Sequence, residues 1–219
     1  MLPSPKCPNG TTRTPGMVCC DSAVAWTRKA PTAETGIRLT GRAGGIALSP
    51  TGRVAAEDVG AALAGLDVSA VHTSPVLRCV ETARIVAAPH GLQPVKYRNL
   101  TETDYGSWTG RTLRSLRRTL LWRHLLKAPS RATFPGGESM AGMQQRVVAA
   151  LEGIAKGLTD SETALVVSHG DPIGVALAHF LGMPLDLYHR IGIDPASWSQ
   201  LFLPAEGAAT VGYVNRVVT

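Results

Sequence analysis

The chain of 219 residues predicts an α/β fold, a three-layer α/β/α sandwich with a mainly parallel central sheet. Three observations carry that expectation. Short apolar runs alternate with helical patterns along the chain, the order that parallel β-α-β units require. The run 163–168 (TALVVS) is apolar on both alternating faces, as a strand covered by helices on both sides must be. Met140, Met143, Val147, Leu151, Ile154 and Leu158 recur at three- and four-residue steps, a helical stripe that reads as core.

The elements follow in order. Residues 1–20 hold four prolines among Thr, Asn and Gly and show neither period, so they are expected to be disordered, with one domain over 21–219. The run 23–27 (AVAWT) is a brief candidate strand. Ser49-Pro50 reads as an N-cap with proline in the first helical position and opens an Ala-rich helix to about Leu66. Residues 68–73 read as a strand, and Ser74-Pro75 repeats the cap-plus-proline signal for a helix to about Ala88. Residues 111–127 set Leu113, Leu116 and Leu120 on one face and arginines largely elsewhere, predicting one amphipathic basic helix. After the strand 163–168, His169-Gly170-Asp171-Pro172 turns into a further helix.

Composition narrows the function classes. Apolar residues at 44% and charged residues at 17% are ordinary for a packed domain and exclude a disordered chain. A net charge of +6 suits nucleic acid, an anionic surface or small phosphorylated molecules. Three Phe and no RNA-recognition motif argue against nucleic acid. Cys7, Cys19, Cys20 and Cys79 form neither a disulfide framework nor a C-x-x-C zinc pair, so a reduced compartment, the cytoplasm, is the reading. No apolar run has the length of a membrane span.

Chemistry concentrates at two strand-to-helix turns, Ser74-Pro75-Val76-Leu77-Arg78 and Ser168-His169-Gly170-Asp171. In an open α/β sheet such turns meet at the carboxyl ends of the strands, and each opens a helix whose free N–H groups favour an anion. Arg78 brings a planar fork suited to phosphate, and His169 a ring N–H for a phosphoryl oxygen. Singly, a turn His is more often a capping or packing residue, and an Arg on a first helical turn is usually solvated. Between the turns lies the polar loop 100–108, whose carboxylates are candidate proton donors.

The ordered set Ser74-Pro75-x-x-Arg78-x-x-x-Thr82-Ala83, Leu100-x-Glu102-x-Asp104-x-Gly106-x-Trp108-x-Gly110, Phe134-Pro135-Gly136-Gly137-Glu138-Ser139 and Val167-Ser168-His169-Gly170 resembles the histidine phosphatase superfamily. Gly41-Arg42, Leu48-Ser49-x-x-Gly52-Arg53 and Asp194-Pro195-Ala196-Ser197 resemble its phosphoglycerate-mutase-like, probable phosphomutase branch. The match runs from Thr32 to Trp198. The resemblance implies the phosphoglycerate-mutase-like fold and a two-step reaction in which one His takes the phosphoryl group and water or a second acceptor removes it. It implies that Arg78 clamps phosphate, that His169 is the second pocket His, and that Glu102 protonates the leaving oxygen. No metal or cofactor is implied, and the partner is a small phosphorylated substrate.

One motif is missing. The superfamily's first strand ends in an Arg-His-Gly turn, which spacing back from Gly41-Arg42 places at Thr27-Arg28-Lys29, and no His precedes His72. His72 itself reads as a strand residue. Arg28 and Lys29 still supply positive charge to the pocket. Two accounts stand: a pseudo-enzyme that keeps the phosphate cradle without its nucleophile, or a sequencing, frame or start-site error that replaced the authentic first strand. The expected function is therefore a phosphatase or phosphomutase-type domain acting on or binding a small phosphate ester, with a non-catalytic phospho-ligand sensor as the alternative. The residues leave the ester, the acceptor and the oligomeric state open.

Overall fold

The computed structural model describes residues 22–159, 162–204 and 207–218. The expected disorder of 1–20, and Cys7, Cys19 and Cys20, lie outside them. The elements run β1 (Ala23–Arg28), α1 (Pro50–Leu63), β2 (Val68–Thr73), α2 (Leu77–Ala87), β3 (Val95–Lys96), α3 (Leu113–Leu116), α4 (Leu120–Lys127), α5 (Met140–Lys156), β4 (Thr163–Ser168), α6 (Gly170–Phe180), β5 (Trp198–Phe202) and β6 (Thr210–Arg216).

The strands form one sheet in the order β3-β2-β4-β1-β5-β6. The first four are mutually parallel, while β5 and β6 add antiparallel pairs beyond β1. Alternation along the central strands decides the layers. Val24, Trp26, Ala164 and Val166 face the cluster built with α5 and α6, and Ala25, Leu165 and Val167 face the cluster built with α1 and α2. Helices thus cover both faces, and AVAWTR, a weak strand by pattern, holds a central place because both its faces are buried.

Several local expectations hold. Ser49 caps α1 by accepting from Gly52 N–H at 3.0 Å, with Pro50 at the first helical position. The stripe Met140, Met143, Val147, Leu151 and Ile154 is buried along α5. Two others are corrected. The basic segment is not one helix: Thr119 stops the helical run and caps α4 through Trp122 N–H at 3.2 Å, leaving Leu116 buried and Leu120 67% exposed. A threonine hydroxyl that satisfies a free backbone N–H starts a new helix as readily as it interrupts an old one. Ser74 does not cap α2 either. That helix begins at Leu77, with Val76 in the cap position and no side-chain cap bond; the Ser74 hydroxyl accepts Val76 N–H at 3.4 Å, short of the helix, and otherwise meets the His169 ring. Among the described residues no helix is long and apolar enough to cross a membrane.

Candidate active site

The register of β1 on β4 sets Arg28 beside Ser168, so the next residues, Lys29 and His169, emerge side by side at the carboxyl edge of the sheet. Lys29 N–H donates to Ser168 O at 2.8 Å, carrying the pairing one step past the strands. On the other side of β4, β2 ends at Thr73 opposite Val167 and delivers Ser74 and then α2 to the same edge. Three parallel strand ends therefore converge, the place where open α/β sheets hold ligands.

Arg78, on the first turn of α2, is 1% exposed. Its Nη2 donates to Gly41 O at 2.6 Å and to His169 Nδ1 at 3.2 Å, and lies 4.0 Å from Glu102 Oε2. Among the described residues its Nε and Nη1 have no partner, and neither does Nε of Arg28. A buried guanidinium with donors to spare is costly unless an anion completes it. The Arg28 guanidinium lies against Gly170, the first residue of α6, where an added Cβ would come within 3.1 Å of its Nε. Its Nη1 donates to Ile193 O.

His169 is fully buried. Burial first, then Arg78, Lys29, Arg146 and Arg28, holds the ring well below its ordinary pKa, so it is a neutral imidazole. With Nδ1 accepting from Arg78, the proton sits on Nε2 and is donated to Ser74 Oγ at 2.8 Å. Glu102 Oε2 stands 3.4 Å from Nδ1. Serine, imidazole and carboxylate in line resemble a hydrolase triad, yet Ser74 is fully buried and the imidazole already carries its proton on the nitrogen facing the hydroxyl. Ser74 thus orients the ring.

Burial, and then the nearby Asp171 carboxylate, push Glu102 up to about 7 against the pull of Arg78. A carboxyl that still holds a proton near neutrality is suited to donate one. Its position is fixed from behind. Arg42 Nε and Arg146 Nη2 both donate to Glu102 O, at 2.9 and 3.1 Å. Glu138 binds Arg146 through two bonds of 2.9 and 2.7 Å and accepts Asp104 N–H at 2.9 Å. Burial raises the Glu138 carboxyl, but the Arg146 and Asp104 bonds outweigh it and hold it below the usual range. Gly106 and Gly137 let the two loops meet, since a Cβ on either would fall 2.2 Å from a carbonyl oxygen of the other loop.

Lys29 is 7% exposed, with Nζ donating to Thr35 Oγ1 at 3.1 Å. Burial, then Arg28 and Arg78, push it down to about 8, while Cys79 and Glu102 pull the other way. A cleft of about 200 Å³ lies beside the cluster, lined by Arg28, Gly170, Asp171, Gly174, Tyr188 and His189 among others. Tyr105 donates to Asp171 Oδ2 at 2.7 Å at its edge.

Of the residues singled out in the sequence, the structure brings Arg78, His169 and Glu102 into one cluster and sets Arg28 at its border. His72 lies in β2, opposite Val95 and Val166, with its ring edge-on to Tyr97. From the sequence, Lys29 figures only as positive charge for the pocket, Asp171, Tyr105 and Arg42 only as members of a turn, loop or motif without a role, and Arg146 not at all. The Gly41-Arg42 and Glu138 motifs were the available signals, although they name no partner.

The profile of the histidine phosphatase superfamily (branch 1) matches residues 27–216. The chain belongs to this superfamily. Phosphoserine phosphatase 1 of Hydrogenobacter thermophilus is 28% identical over 158 residues, covering 71% of this chain and 74% of that protein. The probable phosphoglycerate mutase GpmB of Erwinia tasmaniensis is 32% identical over 157 residues, covering 71% and 73%. The bifunctional protein Rv2228c of Mycobacterium tuberculosis is 36% identical over 151 residues, or 68% of this chain but 41% of that longer protein. Among solved structures, Bacillus stearothermophilus YhfR superposes with a TM-score of 0.82 at 27% identity, covering 90% of this chain and 98% of that one.

Within this superfamily the stretch expected to carry the Arg-His-Gly turn lies at the end of β1. Thr27 is 1% exposed inside β1. Arg28 ends the strand and Lys29 stands level with His169. The turn that leaves β1 is therefore Arg28-Lys29-Ala30, directly beside the Ser168-His169-Gly170 turn that leaves β4.

Proposed function

We propose that this histidine phosphatase domain receives a small phosphate ester between Arg28, Arg78 and the start of α6, in the cytoplasm, and that it lacks the phosphohistidine route to turnover. The observation that carries the reading is the set of unpartnered buried donors, Nε and Nη1 of Arg78 and Nε of Arg28, at the junction of three strand ends. Those donors match the three equatorial oxygens of a phosphoryl group, and the free N–H groups opening α6 add to the attraction. Relatives named as a phosphoserine phosphatase and as probable phosphoglycerate mutases support a small phosphorylated substrate.

In this reading Arg78 and Arg28 clamp the phosphoryl oxygens, and cations rather than a metal neutralise the charge that develops on transfer. Glu102, held near 7 by burial, donates the proton to the departing oxygen. His169 keeps its Nε2–H on Ser74 and its Nδ1 on Arg78 Nη2, and so holds that guanidinium with its remaining donors toward the phosphoryl group. Lys29, the residue after Arg28 in the turn that leaves β1, takes the place of the superfamily's attacking histidine in this reading, one residue later than the spacing from Gly41-Arg42 suggests.

A second reading, a phospho-ligand sensor without turnover, draws on the same substitution at Lys29. Titration calorimetry with inorganic phosphate and a turnover assay with p-nitrophenyl phosphate test the cradle that both readings share. Binding with turnover near background is the expected result. Sustained turnover through a phosphohistidine in the unmodified chain would overturn the proposal, and so would a failure to bind phosphate.

A further inference from the structure

The geometry points to Lys29 as a phosphoryl acceptor: its amine, level with His169 and grouped with Arg78 and Glu102, takes the phosphoryl group of a small phosphate ester and retains it as a phosphoramidate. This rests on the phosphate-binding reading of the cradle and adds a site of covalent modification to it.

The other nucleophiles of the cluster are closed off. Cys79 is fully buried, and burial pushes its thiol up to about 12, so it stays protonated against His169. Ser74 is fully buried beneath the same ring. His169 has Nε2 turned to Ser74 and Nδ1 to Arg78. Lys29 stands at the end of β1, its N–H on Ser168 O beside His169, and among the described residues its terminal nitrogen makes a single hydrogen bond, to Thr35. An amine crowded by cations and taken out of water loses its proton more readily, the usual way in which proteins make a lysine nucleophilic. Arg28, Arg78 and burial do this here, and Glu102 and Cys79 oppose it.

The step balances without any further reagent. The lone pair of neutral Nζ forms the N–P bond as the ester P–O bond breaks. The leaving oxygen takes the proton of the Glu102 carboxyl, and the surplus proton on nitrogen returns to the Glu102 carboxylate. An alcohol departs and a phosphorylated amine remains. Hydrolysis of that product is slow, because an alkylamine is a far poorer leaving group than imidazole, their conjugate acids differing by about 4 pKa units. One phosphoryl group per chain should accumulate.

The test uses the full chain with p-nitrophenyl phosphate as the probe, near neutral pH. A burst of one nitrophenolate per chain is expected, with the mass of one phosphoryl group on the peptide containing Lys29, lost in acid. Lys29→Arg keeps the cation and the fold, and should bind inorganic phosphate in calorimetry while giving no burst and no label. Phosphate binding by the unmodified chain without label on Lys29, or label on His169 or Ser74, overturns this inference and leaves the cradle standing. Absence of both phosphate binding and label overturns the two together.

Discussion

The turns that leave β1 and β4 are adjacent, parallel and in register, yet they carry different constraints. The β4 turn is locked: Ser168 Oγ donates to Leu100 O at 2.8 Å, His169 is held at both ring nitrogens, and α6 starts at once. The β1 turn runs instead into an irregular stretch, and its backbone is fixed by main-chain bonds, Lys29 N–H to Ser168 O and Ala196 N–H to Arg28 O. Thr82 Oγ1 accepts Ala30 N–H. None of these involves the side chain at position 29. The turn at 169 therefore depends on a side chain held at both ring nitrogens, while the backbone at 29 is fixed independently of a side chain whose single hydrogen bond goes to Thr35, so the residue at 29 can change while the cradle persists.

The largest test of that contrast is Lys29→His. It should fold unchanged and raise p-nitrophenyl phosphate turnover roughly 10³-fold or more, since absence of a nucleophile in a comparable covalent mechanism costs about 10⁶. Arg28→His, one residue earlier, should give no gain, and equal gains from both would refute the one-residue placement.

On α2, where Arg78 bonds the ring of the locked turn, the sign reverses. Arg78→Ala removes charged hydrogen bonds worth roughly 1.5–3 kcal/mol, so phosphate affinity should fall on the order of 100-fold by calorimetry. An unchanged affinity would remove Arg78 from the cradle.

The pH dependence sharpens the comparison further. Lys29 is pushed down to about 8. The rate of its modification by an aryl phosphate, which needs no proton donor, should rise about tenfold from pH 7 to pH 9 and level off. A flat profile would mean that the amine of Lys29 is not the attacking group.

Glu102 should leave its mark on stability. Its folded pKa of about 7 lies above the ordinary 4.5, so the folded chain binds more protons between these values and the group's contribution declines as pH rises through them. Buried neutral His169 trends oppositely below its ordinary value. The informative quantity is therefore the variant difference: Glu102→Gln should be near neutral at pH 4 and stabilising by on the order of 1–3 kcal/mol at pH 8 in urea unfolding. Destabilisation at pH 8 would show that the carboxylate is stabilised where it stands.

The smallest effect belongs to the exposed basic segment. Reversing Arg114, Arg117 and Arg118 should slow association of phosphate esters a few-fold at low salt and leave it unchanged at high salt, where the Debye length is only about 3 Å near 1 M. Equal effects at both salt levels would assign these arginines to packing.

Much of this was legible in one dimension. The apolar run of β4, the stripe of α5, the Ser49-Pro50 cap and the strand-to-helix turns that carry Arg78 and His169 express local physics: periodicity, caps and helix propensity act within a few residues. They determined the α/β class, and with the motif order they singled out Arg78, His169, Glu102 and Arg28. Where local signals competed, they misled. Thr119 broke a helix that the leucine spacing extended, and Ser74 turned from the α2 cap to the His169 ring. The central place of β1 and the antiparallel β5 and β6 were decided by pairing between distant segments. So was the register that sets Lys29 level with His169, because a strand's register depends on partners more than a hundred residues away and a shift of one residue changes which side chain faces the crevice. The elevated carboxyl of Glu102 and the depressed amine of Lys29 belong to the tertiary structure for the same reason, since burial and neighbouring charge exist only once the three strand ends have met.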